Sequence, residues 1–251
     1  MNADSVVWLY AVTGALPPRA LAGIMGVDGE PVRPIGHEQT VAVAGTVPSA
    51  EFGQPALTGN LEDLDWLAAT ARAHDAVVRA VARAGATVPL RLATICRDDR
   101  GVWEMLRDRA AELDAVLSTL SGRAEWGAKV YLAERPVVAS VPRAESGTAY
   151  LHRRRAQLSA QRERAWTADQ QADEMHRELA ALAVATCRHP AQDPRLSARS
   201  AAMLLNGAYL VDDLRAAEFT ATAGELNARY TGIELELTGP WPAYSFTGAA
   251  R

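Results

Sequence analysis

An α+β fold in two domains is what this sequence predicts, and three observations carry that expectation. Compact β-type runs alternate with two long amphipathic stretches across residues 1–135. A proline-bearing junction, Pro136 to Pro142, then interrupts the pattern. Beyond it, residues 143–251 open on a long helical stretch and end in an aromatic tail. The first region is expected to be a ferredoxin-like domain, with helices on one face of a mainly antiparallel sheet. The second is expected to be an α+β domain opened by the long helix.

Val6 to Val12 is apolar throughout, with β-branched and aromatic residues, and reads as a buried strand. Pro17 and Pro18 fit the first turn of a short helix ending near Gly23 or Gly26. Pro31 to Ile35 and Thr40 to Val47 read as short strands, and Ser49 to Asn60 as a loop rich in Pro, Gly and Thr. Leu64, Leu67, Ala71, His74, Val78 and Val81 then recur at helical spacing. Glu62, Asp63 and Asp65 suit the start of that helix, because carboxylates complement its positive end. Val88 to Ile95 reads as a strand, with Pro89 near its start or on an edge. A second helix is expected from Arg100 to Leu120, with Asp98 and Asp99 at its start, and Glu125 to Leu132 as the first domain's last strand.

The long helix is expected from Gly147 into the 180s. Leu151, Leu158, Ala165, Ala172 and Leu179 fall seven apart, beside Arg154, Gln161, Ala168, Met175 and Leu182. Only the second half of that seam is apolar on both sides, which points to packing within its own domain and away from a long dimer zipper. Strands near Val184 and over Met203 to Val211 follow, then a helix from Asp213 to Tyr230. Ile233 to Thr238 alternates strictly and reads as a half-exposed strand, ended by Gly239 and Pro240.

Composition narrows the function. With 251 residues, 49% hydrophobic and 22% charged, the chain has the make-up of a globular protein. A net charge of -4 argues against general affinity for nucleic acid. No signal-peptide pattern and no membrane span is read, so the cytoplasm is the expected location. Cys96 and Cys187 lack any paired spacing; Cys187 with His189 offers two metal ligands and no second pair, so a buried structural thiol is expected.

No glycine-rich phosphate loop, nucleophile elbow or paired-histidine metal motif occurs. His74 lies on the apolar stripe of its helix beside Asp75. A core or interface imidazole satisfied by a hydrogen bond is the preferred reading over an acid or base. The strongest charge feature is Arg153, Arg154 and Arg155 after His152, with Arg162 and Arg164 further along. The same helix turns acidic at Asp169, Asp173, Glu174 and Glu178. Arginines early and acids late oppose the helix dipole, so an acidic partner or an ion pair to the first domain is one explanation, and a solvated face of mixed charge the other.

The ending Leu237-Thr-Gly-Pro-Trp-Pro-Ala-Tyr-Ser-Phe246 carries three aromatics, Trp241, Tyr244 and Phe246, on a proline-stiffened tail suited to docking on a hydrophobic surface. It resembles the Gly-Pro-Trp-Pro-Pro-Tyr-Ser-Phe ending of the GvpL/GvpF gas vesicle accessory proteins. Trp8 to Val12, His74-Asp75, Val88 to Thr94, Glu125 to Tyr131, Gly147 to Leu151 and Leu205 to Val211 resemble further segments of that family in the same order. Leu92 and Ala93 stand where the family pattern has Phe and Gly, and Ala243 where it has Pro. The resemblance implies a non-enzymatic assembly protein without cofactor. It also implies that the protein binds the shell protein GvpA and other accessory proteins during vesicle nucleation or growth. Arg153, Arg154 and Arg155, supported by Trp241, Tyr244 and Phe246, are the candidate contacts. Competing readings are an enzyme with His74 or His189 in an interdomain cleft, and a basic-helix RNA-binding module.

Overall fold

The computed structural model describes residues 4–17, 19–133, 147–191, 199 and 201–248. It is a mixed helix and strand structure with two antiparallel sheets, in the expected α+β class. The junction expected at Pro136 to Pro142 lies outside the described residues, as does Pro18. The chain divides into two compact units, Met1–Glu125 with Pro240–Arg251, and Trp126–Gly239.

The sheet of the first unit is built around β1 (Ser5–Thr13), buried from Val7 to Thr13. This burial explains why its sequence is a continuous apolar run: neither set of alternating side chains faces water. On one side β1 pairs antiparallel with β3 (Thr40–Pro48), which forms a hairpin with β2 (Arg33–His37). On the other side it pairs antiparallel with β4 (Thr87–Pro89) and β5 (Ile95–Cys96). Trp8, Tyr10, Val43 and Val47 share a core with Val77, Val78 and Val81 of helix α3 (Leu64–Ala82). Asp63 caps α3 by accepting from the backbone N–H groups of Asp65 and Trp66.

Several local expectations differ. The loop expected over Ser49 to Asn60 is two short helices, α1 (Ser49–Phe52) and α2 (Gln54–Asn60), which bury Phe52 and Leu57 in the same core. Pro55 sits in the first turn of α2, where its missing N–H costs nothing. Among the described residues no helix follows Pro17; successive turns, in which Ala20 N–H donates to the Pro17 carbonyl and Ala22 N–H to that of Arg19, carry the chain to Gly23 at φ +75°. The single helix expected over Arg100 to Leu120 is two, α4 (Asp99–Asp108) and α5 (Ala110–Leu120). They break at Arg109 (φ -115°, ψ 12°), whose guanidinium holds Glu112 in a two-armed ion pair. The apolar stripe continues across the break, so periodicity alone reads one helix.

The strand expected over Val88 to Ile95 is interrupted between β4 and β5. In β4, Val12 faces Val88; kept in that register, Val7 would face residue 93, yet it faces Cys96, three residues later. The extra residues form a turn in which Thr94 donates to the Arg91 carbonyl, and Ala93 has φ +66°. A left-handed conformation costs an L-residue roughly 1–2 kcal/mol that glycine escapes. Ala93→Gly is therefore expected to stabilise the first unit by about 0.5–1 kcal/mol, after allowance for the greater freedom of glycine in the unfolded chain. Urea denaturation checks this, and unchanged or lower stability counts against strain at Ala93.

The second unit holds most of β6 (Arg123–Leu132), then α6 (Gly147–Ala180), β7 (Ala185–Arg188), β8 (Met203–Asp212), α7 (Ala216–Arg229) and most of β9 (Ile233–Trp241). Its strands run in the order β7-β8-β6-β9. The strand expected to close the first sheet, β6, lies here instead, between β8 and β9. Its apolar residues explain this: Ala128 and Val130 are buried with Tyr209, Phe219, Ile233 and Leu235. β9 runs three residues past Thr238 to Trp241, through Gly239 at φ +132° and Pro240. Glycine supplies a backbone conformation there that other residues rarely adopt.

Candidate functional site

The described residues hold no group of three or more His, Cys, Asp or Glu able to bind a metal, and no helix among them is long and apolar enough to cross a membrane. Cys187 is half-buried on β7, which alternates half-buried and exposed residues, so it is not the buried thiol expected. His189 is exposed just beyond β7.

His74 is a core residue, 3% exposed. Trp8 Nε1–H donates to its Nδ1 at 3.1 Å, and its Nε2 lies 3.1 Å from the Leu90 carbonyl oxygen. An indole N–H only donates and a carbonyl only accepts, so the imidazole is neutral with its proton on Nε2. Burial lowers its pKa, opposed by the Leu90 carbonyl and by Asp75. The Tyr10 ring packs against it at 5.3 Å between centroids. Both ring nitrogens serve the core, the structural role preferred from sequence.

The second half of α6 is anchored. Ala168, Ala172, Met175 and Leu179 are buried against Leu205 and Tyr209 of β8 and Phe219, Ala223 and Leu226 of α7. Ion pairs tie its acids to neighbouring elements: Arg188 of β7 to Asp173, and Arg229 of α7 to Glu178. Two of the four acids late in the helix, Asp173 and Glu178, thus have partners in their own unit.

The first half is different. From residue 148 to 167 every residue of α6 is exposed except the half-buried Ala160. Arg153, Arg154 and Arg155 lie in this stretch, as do Arg162 and Arg164. Apolar side chains accompany them: Tyr150 is 56% exposed, Leu151 60%, Leu158 41% and Trp166 65%. At 100° per residue, Tyr150, Leu151, Leu158 and Ala165 continue the line of Ala168 and Ala172 beyond the core. The seven-residue seam is thus one stripe used twice, buried at its end and uncovered at its beginning. Trp166 carries no periodic signal in the sequence, because it falls off the seam in a charged stretch.

The aromatic tail is placed in the first unit. The Arg79 guanidinium of α3 lies over the Trp241 ring, 4.2 Å from its centroid. Residues Tyr244–Phe246 form one 3-10 turn, and the N–H and hydroxyl of Ser245 both donate to the Glu125 carboxylate at 2.8 and 2.7 Å. Trp241 and Phe246 are half-buried and Tyr244 is exposed. The three arginines thus belong to α6 of the second unit, and the three aromatics to the first unit.

A family model described as gas vesicle synthesis protein GvpL/GvpF matches residues 6–248. Gas vesicle protein L of Streptomyces sp. (strain CB03234) is 43% identical over 266 residues, covering 100% of this chain and 96% of that protein. Gas vesicle protein F of the same strain is 27% identical, covering 95% and 98%. Two crystal structures share the fold: gas vesicle protein GvpF from Anabaena sp. PCC7120 (TM-score 0.66, 15% identity, 99% of this chain and 98% of that one) and GvpF from Microcystis aeruginosa (TM-score 0.63, 16% identity, 96% and 98%).

Proposed function

Because the chain belongs to the gas vesicle synthesis protein GvpL/GvpF family, we propose that its accessory role is to bind the shell protein GvpA, together with other accessory proteins, during vesicle nucleation or growth in the cytoplasm. The observation that carries this reading is the first half of α6, a basic and apolar helix surface that its own core leaves uncovered. Hydrophobic side chains exposed in a row mark interaction sites, and flanking arginines keep such a surface in solution until it is covered. The family is one of gas vesicle structural and accessory proteins.

In this reading Arg153, Arg154 and Arg155 contact the partner directly. Trp241, Tyr244 and Phe246 support the protein by holding the tail in place, with Tyr244 the most accessible of them. Capture of tagged GvpA by the purified chain tests the reading. Wild type is expected to retain GvpA, and the triple variant Arg153→Ala, Arg154→Ala, Arg155→Ala to retain several-fold less. No capture by wild type overturns the GvpA reading; undiminished capture by the variant removes the arginines from the interface.

A further inference from the structure

The uncovered half of α6 also specifies what kind of surface it meets. We infer that it docks an acidic amphipathic helix of a partner protein, lying along the Leu151–Leu158–Ala165 stripe. The inference rests on the same helix surface as the reading above and adds the chemistry of the partner.

Two observations carry it. The stripe has coiled-coil spacing, with Leu151, Leu158 and Ala165 seven apart and Arg154 and Gln161 at the companion positions. Its edges are basic: Arg155 and Arg162 lie seven apart on one edge, and Arg164 lies on the other. In paired helices those edge positions face the partner and set its identity by charge. The stretch from 148 to 167 holds five arginines and one acid, Glu163, in a chain whose net charge is -4. Among the described residues no ion pair joins Arg154, Arg155, Arg162 or Arg164 to an acid on another element, whereas Asp173 and Glu178, further along the helix, have theirs. The complement of an apolar stripe edged with arginine is an apolar stripe edged with Glu or Asp.

A second copy of this chain does not meet that requirement. Paired antiparallel about Leu158, two such helices set Arg155 opposite Arg162; paired in parallel, they stack Arg154 on Arg154 in the seam. Like charges at these positions oppose association. Nucleic acid fits less well than a helix, because a stripe of leucines at heptad spacing serves no phosphate contact, and the exposed rings Tyr150 and Trp166 lie at opposite ends of the stretch and form no continuous stacking platform.

The test uses the full chain and two labelled 21-residue peptides, each with Leu along its seam, one with Glu and the other with Lys at the edge positions. Fluorescence anisotropy is expected to show the Glu peptide binding at least 10-fold more tightly than the Lys peptide, and weakening several-fold between 50 and 300 mM salt. Arg155→Glu with Arg162→Glu is expected to invert the preference, and Leu151→Glu with Leu158→Glu to abolish binding of both. All four positions are exposed, and unchanged melting of the variants verifies their folding. Equal binding of the two peptides, binding of neither, or an unchanged preference in the arginine variant overturns the inference. So does a wild-type dimer in sedimentation that Leu158→Glu dissolves, which assigns the stripe to a second copy, or salt-sensitive retention of RNA lost in the arginine variant. GvpA capture without a Glu-peptide preference sinks this inference and leaves the functional reading standing. A Glu-peptide preference without GvpA capture does the reverse.

Discussion

Replacing His74 with alanine is expected to destabilise the protein by about 3–5 kcal/mol, the largest effect of any single polar substitution in the first unit. Three losses combine. The imidazole volume leaves a cavity beside Trp8 and Tyr10, both 0% exposed. The Trp8 indole N–H loses its acceptor, and the Leu90 carbonyl loses the Nε2 donor. Buried polar groups without partners cost roughly 1–3 kcal/mol each, so the two orphaned groups rival the cavity. His74→Gln offers one acceptor and one donor and is expected to recover part of the loss. Urea denaturation of the three proteins measures both quantities.

The same site makes stability depend on pH with a defined sign. Burial lowers the His74 pKa below its ordinary value of 6.5. The unfolded chain therefore takes up a proton on this residue that the folded chain excludes. Its contribution is fully present above about pH 6.5 and declines as the pH falls toward and through the lower folded value. His176, lowered by burial and by Arg188, adds a dependence of the same sign. His74→Gln removes the His74 part and leaves that of His176, so its stability is expected to fall less than wild type between pH 7.5 and 5.5. Equal slopes count against the buried neutral imidazole.

Truncating one seam at different points is expected to give opposite results. Leu179→Ala costs about 3 kcal/mol, within the 2–5 kcal/mol typical of buried leucines, because Leu179 is 0% exposed in the second unit's core. Leu151→Ala and Leu158→Ala, at the same seam position, change stability by no more than about 0.5 kcal/mol, as exposed positions do. Hydrogen exchange is expected to follow the same division, fast from 148 to 167 and slow from 168 to 180. A loss of 2 kcal/mol or more in either exposed variant places that half of α6 in the protein's own core.

Much of the fold was legible because burial leaves a periodic trace. β1, β3 and β9 follow from unbroken or alternating apolar runs, α3 and α6 from apolar residues at helical spacing, and Asp63 and Asp98 mark helix starts as expected, each accepting a backbone N–H there. The breaks at Arg109 and Ala93 were not legible. Neither residue is a glycine or proline, so neither carries the usual sequence mark of a break. The sheet that β6 joins was hidden for a related reason: its alternation shows that one face is buried and does not show against what.

The candidate surface was partly legible. The arginine run stood out, and the ordered resemblance from Trp8 to Phe246 pointed to the family. Exposure of the leucines among those arginines did not, because an apolar seam reads alike whether it meets its own core or another chain. Only the point where the core ends, at Ala168, separates the two uses. The tail likewise announced a docking segment; that Arg79 and Glu125 receive it depends on tertiary contacts.

Vesicle formation in cells tests the central claim most directly. A gas vesicle gene cluster relying on this chain is to be expressed with wild type or with Leu151→Glu and Leu158→Glu, and vesicles counted by electron microscopy alongside the melting temperature of each purified protein. Vesicles with wild type and few or none with the variant, at equal melting temperature, are the result predicted. Full vesicle numbers with the equally stable variant contradict the assignment of function to the exposed half of α6.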